Sequence, residues 1–385
     1  MAAVGFVVPR ITYHGIGTLE KLKEMDGSKA FIVTGGSSMK QSGALDKAQA
    51  FLREAGITSS VFEGVEPDPS IETVMQGAEK MKQEQPDLII GLGGCSAIDA
   101  AKAMWGFYEH PESTLEDIIP PFSMKPLRKK AKFIAVPSTS GTGTEVTCVS
   151  VITDREKGVK HPLVSYELTP DVAIVDGEIC ASMPPDVTAH TGLDALAHNT
   201  EAYVSSLSDP YTDPLVKQSI EMIFKNLPVV YKEPNNLEAR QAMHDASCLA
   251  GIAFTNALLG IVHAMAHQLG GMFGIPHGCA NAILMPNVVR YNSSATKKYE
   301  DLAKVLGKET AEEYATAIEE LRAAVNVQAS LQEYGISVSD WNIRLDEITQ
   351  NAMVDPCVGA NPRIPTEADI RKIFECCYNG TKIDF

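Results

Sequence analysis

The sequence predicts an α/β domain over residues 1–185 followed by an all-helical domain over residues 186–385. Three observations carry this. Short apolar runs alternate with helix-period segments in the first half, Pro184 and Pro185 punctuate the chain, and long helix-period segments dominate the second half. A length of 385 residues suits two domains of roughly 100–200 residues each.

Taken in order, Ala30–Thr34 (AFIVT) reads as a first strand, followed by Gly35-Gly36 and a helix over 42–55. Ser60–Gly64 is a second short strand, 71–84 a helix, Asp87–Leu92 (DLIIGL) a third strand and Lys132–Pro137 (KFIAVP) a fourth. Apolar strands without alternation, separated by helices, are the pattern of a mostly parallel sheet covered on both faces. Ligands bind such sheets at the carboxyl ends of the strands. Beyond Pro185 the helix-period segments include 186–206, 212–226, 236–258, 261–272 and 296–305. The expected organisation is a cofactor domain, then a helical domain, with the site between them.

Composition narrows the class. Hydrophobic residues make up 44% and charged residues 21%, the balance of a globular protein, and a net charge of −16 argues against nucleic acid or an anionic membrane as partner. The eight cysteines form no C-x-x-C pair, and the N-terminal MAAVGFVVPRITYHG lacks a basic segment followed by an apolar run. Reduced thiols, no signal peptide and a cytoplasmic location are therefore expected. From Ala246 to Val289 there is no Asp, Glu, Lys or Arg, enough to span a bilayer by length. The stretch also holds His263, His267, His277, Asn256, Gln268 and several glycines, which fits a buried helix pair around a polar site better.

Two loops have the chemistry of a phosphate cradle. Gly91–Lys102 (GLGGCSAIDAAK) follows a strand and opens a helix, where glycines expose backbone N–H groups. It departs from G-x-G-x-x-G at Ser96. Val136–Thr147 (VPSTSGTGTEVT) also follows a strand and offers several hydroxyl donors. After the first strand, Thr34-Gly35-Gly36-Ser37-Ser38-Met39-Lys40 has no carboxylate to meet a ribose 2′-hydroxyl. A 2′-phosphate is tolerated there, which favours NADP over NAD.

Asp194 and His198, four apart, share one face of a helix-prone segment, and His263 and His267 repeat that spacing. His277 follows a Gly-Ile-Pro turn. Six of the nine histidines lie between 190 and 277, in sequence otherwise poor in charge. A carboxylate among apolar helices is costly unless a cation offsets it. One carboxylate with three imidazoles suits Fe²⁺, with Zn²⁺ as the alternative, and has too few oxygens for Ca²⁺.

These residues, over nearly the whole chain, resemble the iron-containing (group III) alcohol dehydrogenases. One long pattern runs from Ile174-Val175-Asp176 through Met183-Pro184-Pro185 to Gly192-Leu193-Asp194-Ala195-Leu196 and Glu201; the other is Gly260–Ala280. The resemblance implies the dehydroquinate synthase-like fold of that family. It implies metal ligands at Asp194, His198, His263 and His277, and a catalytic His267 beside nicotinamide and substrate. It further implies cofactor contacts at Gly93, Gly94, Ser96, Ser138, Thr139, Thr142 and Lys160, with Phe254 lining the substrate pocket. Two positions depart from the family: Cys95 replaces a glycine before Ser96, and Gly35 stands where NAD-preferring members have aspartate, so Gly35 and Ser37 join the cofactor set.

The function expected is hydride transfer between a small primary alcohol or diol and NADP (or NAD), by a homodimer or larger homo-oligomer. A glycerol dehydrogenase-like or dehydroquinate synthase-like enzyme is the alternative. A phosphorylated substrate would demand Lys or Arg side chains, and residues 246–289 supply none.

Overall fold

A computed structural model of the chain describes residues 5–385. They divide into two compact units, one ending at Met183 and the other spanning Pro184–Phe385.

The first unit holds eight strands: β1 Ile11–His14, β2 Lys29–Gly35, β3 Thr58–Val65, β4 Leu88–Gly93, β5 Lys132–Pro137, β6 Val149–Asp154, β7 Val159–Val164 and β8 Val172–Val175. Its helices are α1 Ser38–Gln41, α2 Ala44–Glu54, α3 Ile71–Glu84, α4 Cys95–Glu109 and α5 Leu115–Ile118. Six strands form a parallel sheet in the order β1-β8-β5-β4-β2-β3, and β6 pairs with β7 as an antiparallel hairpin. Neighbouring residues on the central strands go to opposite faces. Phe31, Ile89 and Phe133 enter one apolar cluster with Met104 and Trp105, while Ile32, Ile90 and Ile134 enter another with Leu45 and Leu52. Burial on both faces is why these strands read as unbroken apolar runs.

The four strands expected from sequence are β2 to β5. Strands β1, β6, β7 and β8 were not expected; β1 and β8, at four residues each, are too short for a period to show. Cys95 is the first residue of α4, directly after the N-cap Gly94.

The second unit is helical: α6 Pro185–Val204, α7 Asp213–Lys232, α8 Leu237–Ala257, α9 Ile261–Phe273, α10 His277–Ser293, α11 Lys298–Val305, α12 Ala311–Ala324, α13 Leu331–Tyr334, α14 Val338–Met353 and α15 Glu367–Asn379. The segment expected to stop at 226 continues through Pro228 to Lys232, because Leu227 and Val230 extend its buried face into the core. Among the described residues no single helix is long and apolar enough to cross a membrane. The charge-free stretch instead contains the end of α8, then α9 and most of α10, with α8 and α9 bent by 108° at Leu258–Gly260.

Candidate metal centre and cofactor loops

Asp194 and His198 lie one turn apart on α6, and both are buried. His263 lies in the first turn of α9, and His277 is the first residue of α10. The approach of α10 to α6 depends on Gly278: a Cβ there would lie 1.9 Å from the His190 carbonyl oxygen and 3.1 Å from Asp194 Cβ. The close packing brings ligand atoms of Asp194, His263 and His277 within 4.8 Å of one another. His277 Nε2 stands 3.5 Å from Asp194 Oδ1, and His198 Nδ1 stands 3.9 Å from Asp194 Oδ2. The His198 ring stacks between Phe254, at 4.4 Å between centroids, and His263, at 4.6 Å. Three of the four expected ligands thus present atoms to one spot, and His198 forms the wall beside it.

The donor set fits a divalent cation. Asp194 Oδ1 and the Nε2 atoms of His263 and His277 surround the Asn281 amide nitrogen at 2.8, 3.3 and 3.2 Å. An amide with two N–H bonds cannot satisfy three acceptors, and Asn281 Oδ1 is itself buried without a partner. Burial, and then the neighbouring imidazoles His198, His277 and His267, hold the His263 ring well below its ordinary pKa. It is therefore neutral, as a ligand must be.

His267 is exposed on one side and lies against the cluster, its ring stacked on His277 at 5.4 Å and 12°. Its Nδ1 is 2.8 Å from Asp355 Oδ2, so that His267 and Asp355 form a pair. Sequence reasoning missed three residues here. Glu201, buried on α6, meets His263 Nδ1 at 2.5 Å; burial raises its carboxyl, while the backbone N–H groups of Val262, Gly260 and His263 favour the ionised form, whose burial a neighbouring cation would offset. Its i+7 spacing from Asp194 and Asn281's i+4 spacing from His277 were readable signals. Asp355 left none, being 88 residues from its partner.

In the first unit, the two polar loops lie side by side. Ser138 N donates to Gly93 O at 2.8 Å, and a Cβ on Gly94 would meet Thr139 Cγ2 at 3.6 Å. Thr139 and Thr142 are half-buried, and Ser96 Oγ accepts from Asp68 N at 3.3 Å. The loop is anchored from behind by Lys102, whose buried ammonium donates to the carbonyls of Thr144, Thr147 and Val149 at 2.7–3.0 Å. Asp99 accepts from Thr144 Oγ1 at 2.7 Å. Lys160, on β7, is half-exposed and paired with Asp68 at 2.7 Å. Gly35 ends β2, and Ser37 is exposed just before α1. Lys40 of that loop pairs with Glu63 on β3 at 3.6 Å, a carboxylate the loop sequence did not reveal.

A parallel sheet with polar loops at its strand ends, and a histidine-carboxylate cluster among helices, define a metal-dependent oxidoreductase class. The model of the iron-containing alcohol dehydrogenases matches residues 9–177, and that of the C-terminal part of the Fe-containing alcohol dehydrogenase family matches 188–378. The chain belongs to the iron-containing alcohol dehydrogenase family. It is 51% identical to the NADPH-dependent butanol dehydrogenase of Clostridium saccharobutylicum, over 99% of both chains. It is 40% identical to an aldehyde-alcohol dehydrogenase of Streptococcus pneumoniae, covering 97% of this chain and 46% of that protein. The crystal structure of a 1,3-propanediol oxidoreductase superposes with a TM-score of 0.92 at 35% identity, over 98% of this chain and 100% of that one.

Proposed function

We propose that this alcohol dehydrogenase interconverts a small primary alcohol or diol and its aldehyde with NADP(H), at Fe²⁺ or alternatively Zn²⁺. Asp194, His198, His263 and His277 would hold the cation. The convergence of Asp194 Oδ1 with the Nε2 atoms of His263 and His277 carries this reading. When bound, the cation supplies Lewis-acid polarisation of the substrate oxygen and the nicotinamide supplies the hydride exchange.

The chain's own side chains do the rest. Asp355 fixes the His267 ring, leaving Nε2 to take the hydroxyl proton from the alcohol or return one to the aldehyde oxygen, and the ring's exposed side leads to solvent. The Phe254 ring, stacked on His198 at 4.4 Å, would offer a short, weakly polar carbon chain an apolar surface beside the ligands. Gly93, Gly94 and Ser96 at the α4 N-terminus, with Ser138, Thr139 and Thr142, would cradle the pyrophosphate, and Lys160 would leave Asp68 for it. Gly35 and Ser37 would face the adenine ribose. The NADPH dependence of the butanol dehydrogenase relative supports the cofactor choice. A cytoplasmic location and a homo-oligomeric state complete the reading; among the described residues no two cysteines form a disulfide, which suits a reducing compartment.

The test is metal analysis of protein purified without air, followed by a panel of short aldehydes with NADPH and NADH. One equivalent of iron or zinc and faster oxidation of NADPH are expected. Metal-free turnover would sink the metal reading, and a preference for NADH would sink the cofactor reading.

A further inference from the structure

We propose that Glu201 is the positioning residue of the metal centre, an inference that rests on the four-ligand reading above. Its carboxylate orients His263 so that Nε2 is the ligand atom, and thereby sets how tightly the cation is held.

Glu201 continues the α6 stripe that carries Asp194 and His198, seven residues beyond the first and three beyond the second. Its two oxygens do separate jobs. Oε1 accepts the Val262 backbone N–H at 2.6 Å, at the α9 N-terminus where such donors have no helical partner, and Oε2 meets His263 Nδ1 at 2.5 Å. With Nδ1 held there, the opposite nitrogen of the ring faces Asn281, Asp194 and His277. A carboxylate on the far nitrogen of an imidazole fixes its tautomer and raises the basicity of the ligating one.

The surroundings are built to this geometry. A Cβ on Gly260 would lie 2.8 Å from both Glu201 Oε1 and Asn361 Oδ1, so only glycine leaves the carboxylate where it is. Asn361 is in turn locked by a reciprocal amide pair with Asn292 at 2.9 and 3.0 Å. Glutamine has nearly the shape of glutamate but offers one acceptor and one donor. It cannot accept from Val262 N–H and from His263 Nδ1–H together, so Glu201→Gln either abandons the helix end or drives the ring proton to Nε2.

The experiment is chelator competition for Zn²⁺ and Co²⁺ by metal-free wild type, Glu201→Gln and Gly260→Ala. We expect Glu201→Gln to bind about 10–100-fold more weakly, with an altered Co²⁺ visible spectrum, and Gly260→Ala to shift in the same direction. A group that merely supports the helix would lower the melting midpoint of the metal-free protein and leave the affinity of the folded form unchanged; that result overturns the inference. Should the glutamine variant fail to fold, proton–nitrogen correlation on Zn²⁺-loaded wild type decides. Ligation of His263 through Nε2 with a bonded Nδ1–H is expected, and ligation through Nδ1 overturns it. Wild type that binds no cation overturns the site reading as well, whereas equal affinity in wild type and Glu201→Gln overturns this inference alone.

Discussion

A neutral imidazole presents one donor and one acceptor nitrogen, and whatever sits on one of them decides what the other can do. At His267 the decision belongs to Asp355. Burial works against ionisation of that carboxyl, but hydrogen bonds from His267 and Cys357 outweigh it and hold it below its ordinary value. An ionised Asp355 can only accept, so Nδ1 carries a proton and, in the neutral ring, Nε2 is the nitrogen with the lone pair. Replacing His267 by alanine is expected to slow turnover about 100-fold while the metal content stays at wild type; loss of metal would make His267 a ligand. Asp355→Asn should slow turnover in the same direction but less, since the ring remains and only its tautomer preference is lost; unchanged kcat across pH would remove Asp355 from this role. At Gly35 a Cβ meets the Val65 carbonyl at 3.1 Å, so Gly35→Asp requires β3 to give slightly. The variant should still favour NADH relative to wild type, read as the ratio of kcat/KM for the two cofactors, and an unshifted ratio would exclude Gly35 from cofactor choice. The i, i+4 spacing of Asp194 and His198 was legible because one helix carries both. The pairing of His267 with Asp355 was not, because chain distance says nothing about contacts made through tertiary packing.

Between elements, the close approach of α6 and α10 is the feature most exposed to a single methyl group. At 1.9 Å from the His190 carbonyl oxygen, a Cβ on residue 278 lies far inside van der Waals contact with backbone, which cannot rotate away. Gly278→Ala must therefore push α10 off α6, carrying His277 away from Asp194. A destabilisation of about 3 kcal/mol is expected from such overpacking, together with loss of bound metal, measured by denaturant unfolding and metal analysis on one preparation. Normal metal content in a stably folded variant would show that the two helices can part without cost to the site. The same scale explains what the sequence revealed of the fold. Strands β2, β4 and β5 are buried on both faces and announce themselves as apolar runs, β3 is a half-exposed edge strand with a shorter apolar centre, and β1 and β8 are short and depend on neighbours for their definition. Helix α7 outran its expected end because burial of Leu227 and Val230 outweighs the local preference of Pro228 to stop it. Propensity yields to packing there.

Across the helical unit, acid sensitivity should be set by a carboxylate network rather than by the metal site alone. Arg290 on α10 donates to Glu312 at 2.7 and 3.0 Å and to Glu319 at 2.7 Å, both on α12, and Lys382 of the C-terminal tail reaches Glu312 at 2.7 Å. The bond from Arg290, opposed in part by burial and joined by Lys382, lowers the Glu312 carboxyl from 4.5 to about 2. A carboxyl depressed in the folded state contributes stability that is fully present above its unfolded value and is lost as pH falls through the folded one. The window is therefore between about 4.5 and about 2. Glu312 is half-exposed, so solvent screening leaves the contribution near about 1 kcal/mol, or roughly 2–4 °C for a unit of this size. Glu312→Gln should accordingly melt below wild type at neutral pH, with the gap closing towards pH 2 as the wild-type carboxyl takes up its proton. Two compact units leave room for two melting transitions. Only the one belonging to Pro184–Phe385 should move, because Arg290, Glu312, Glu319 and Lys382 all lie within it. Calorimetry of both proteins from neutral to acid pH checks this, and a gap that stays constant down to pH 2 would show that Glu312 acts through packing and not through its charge.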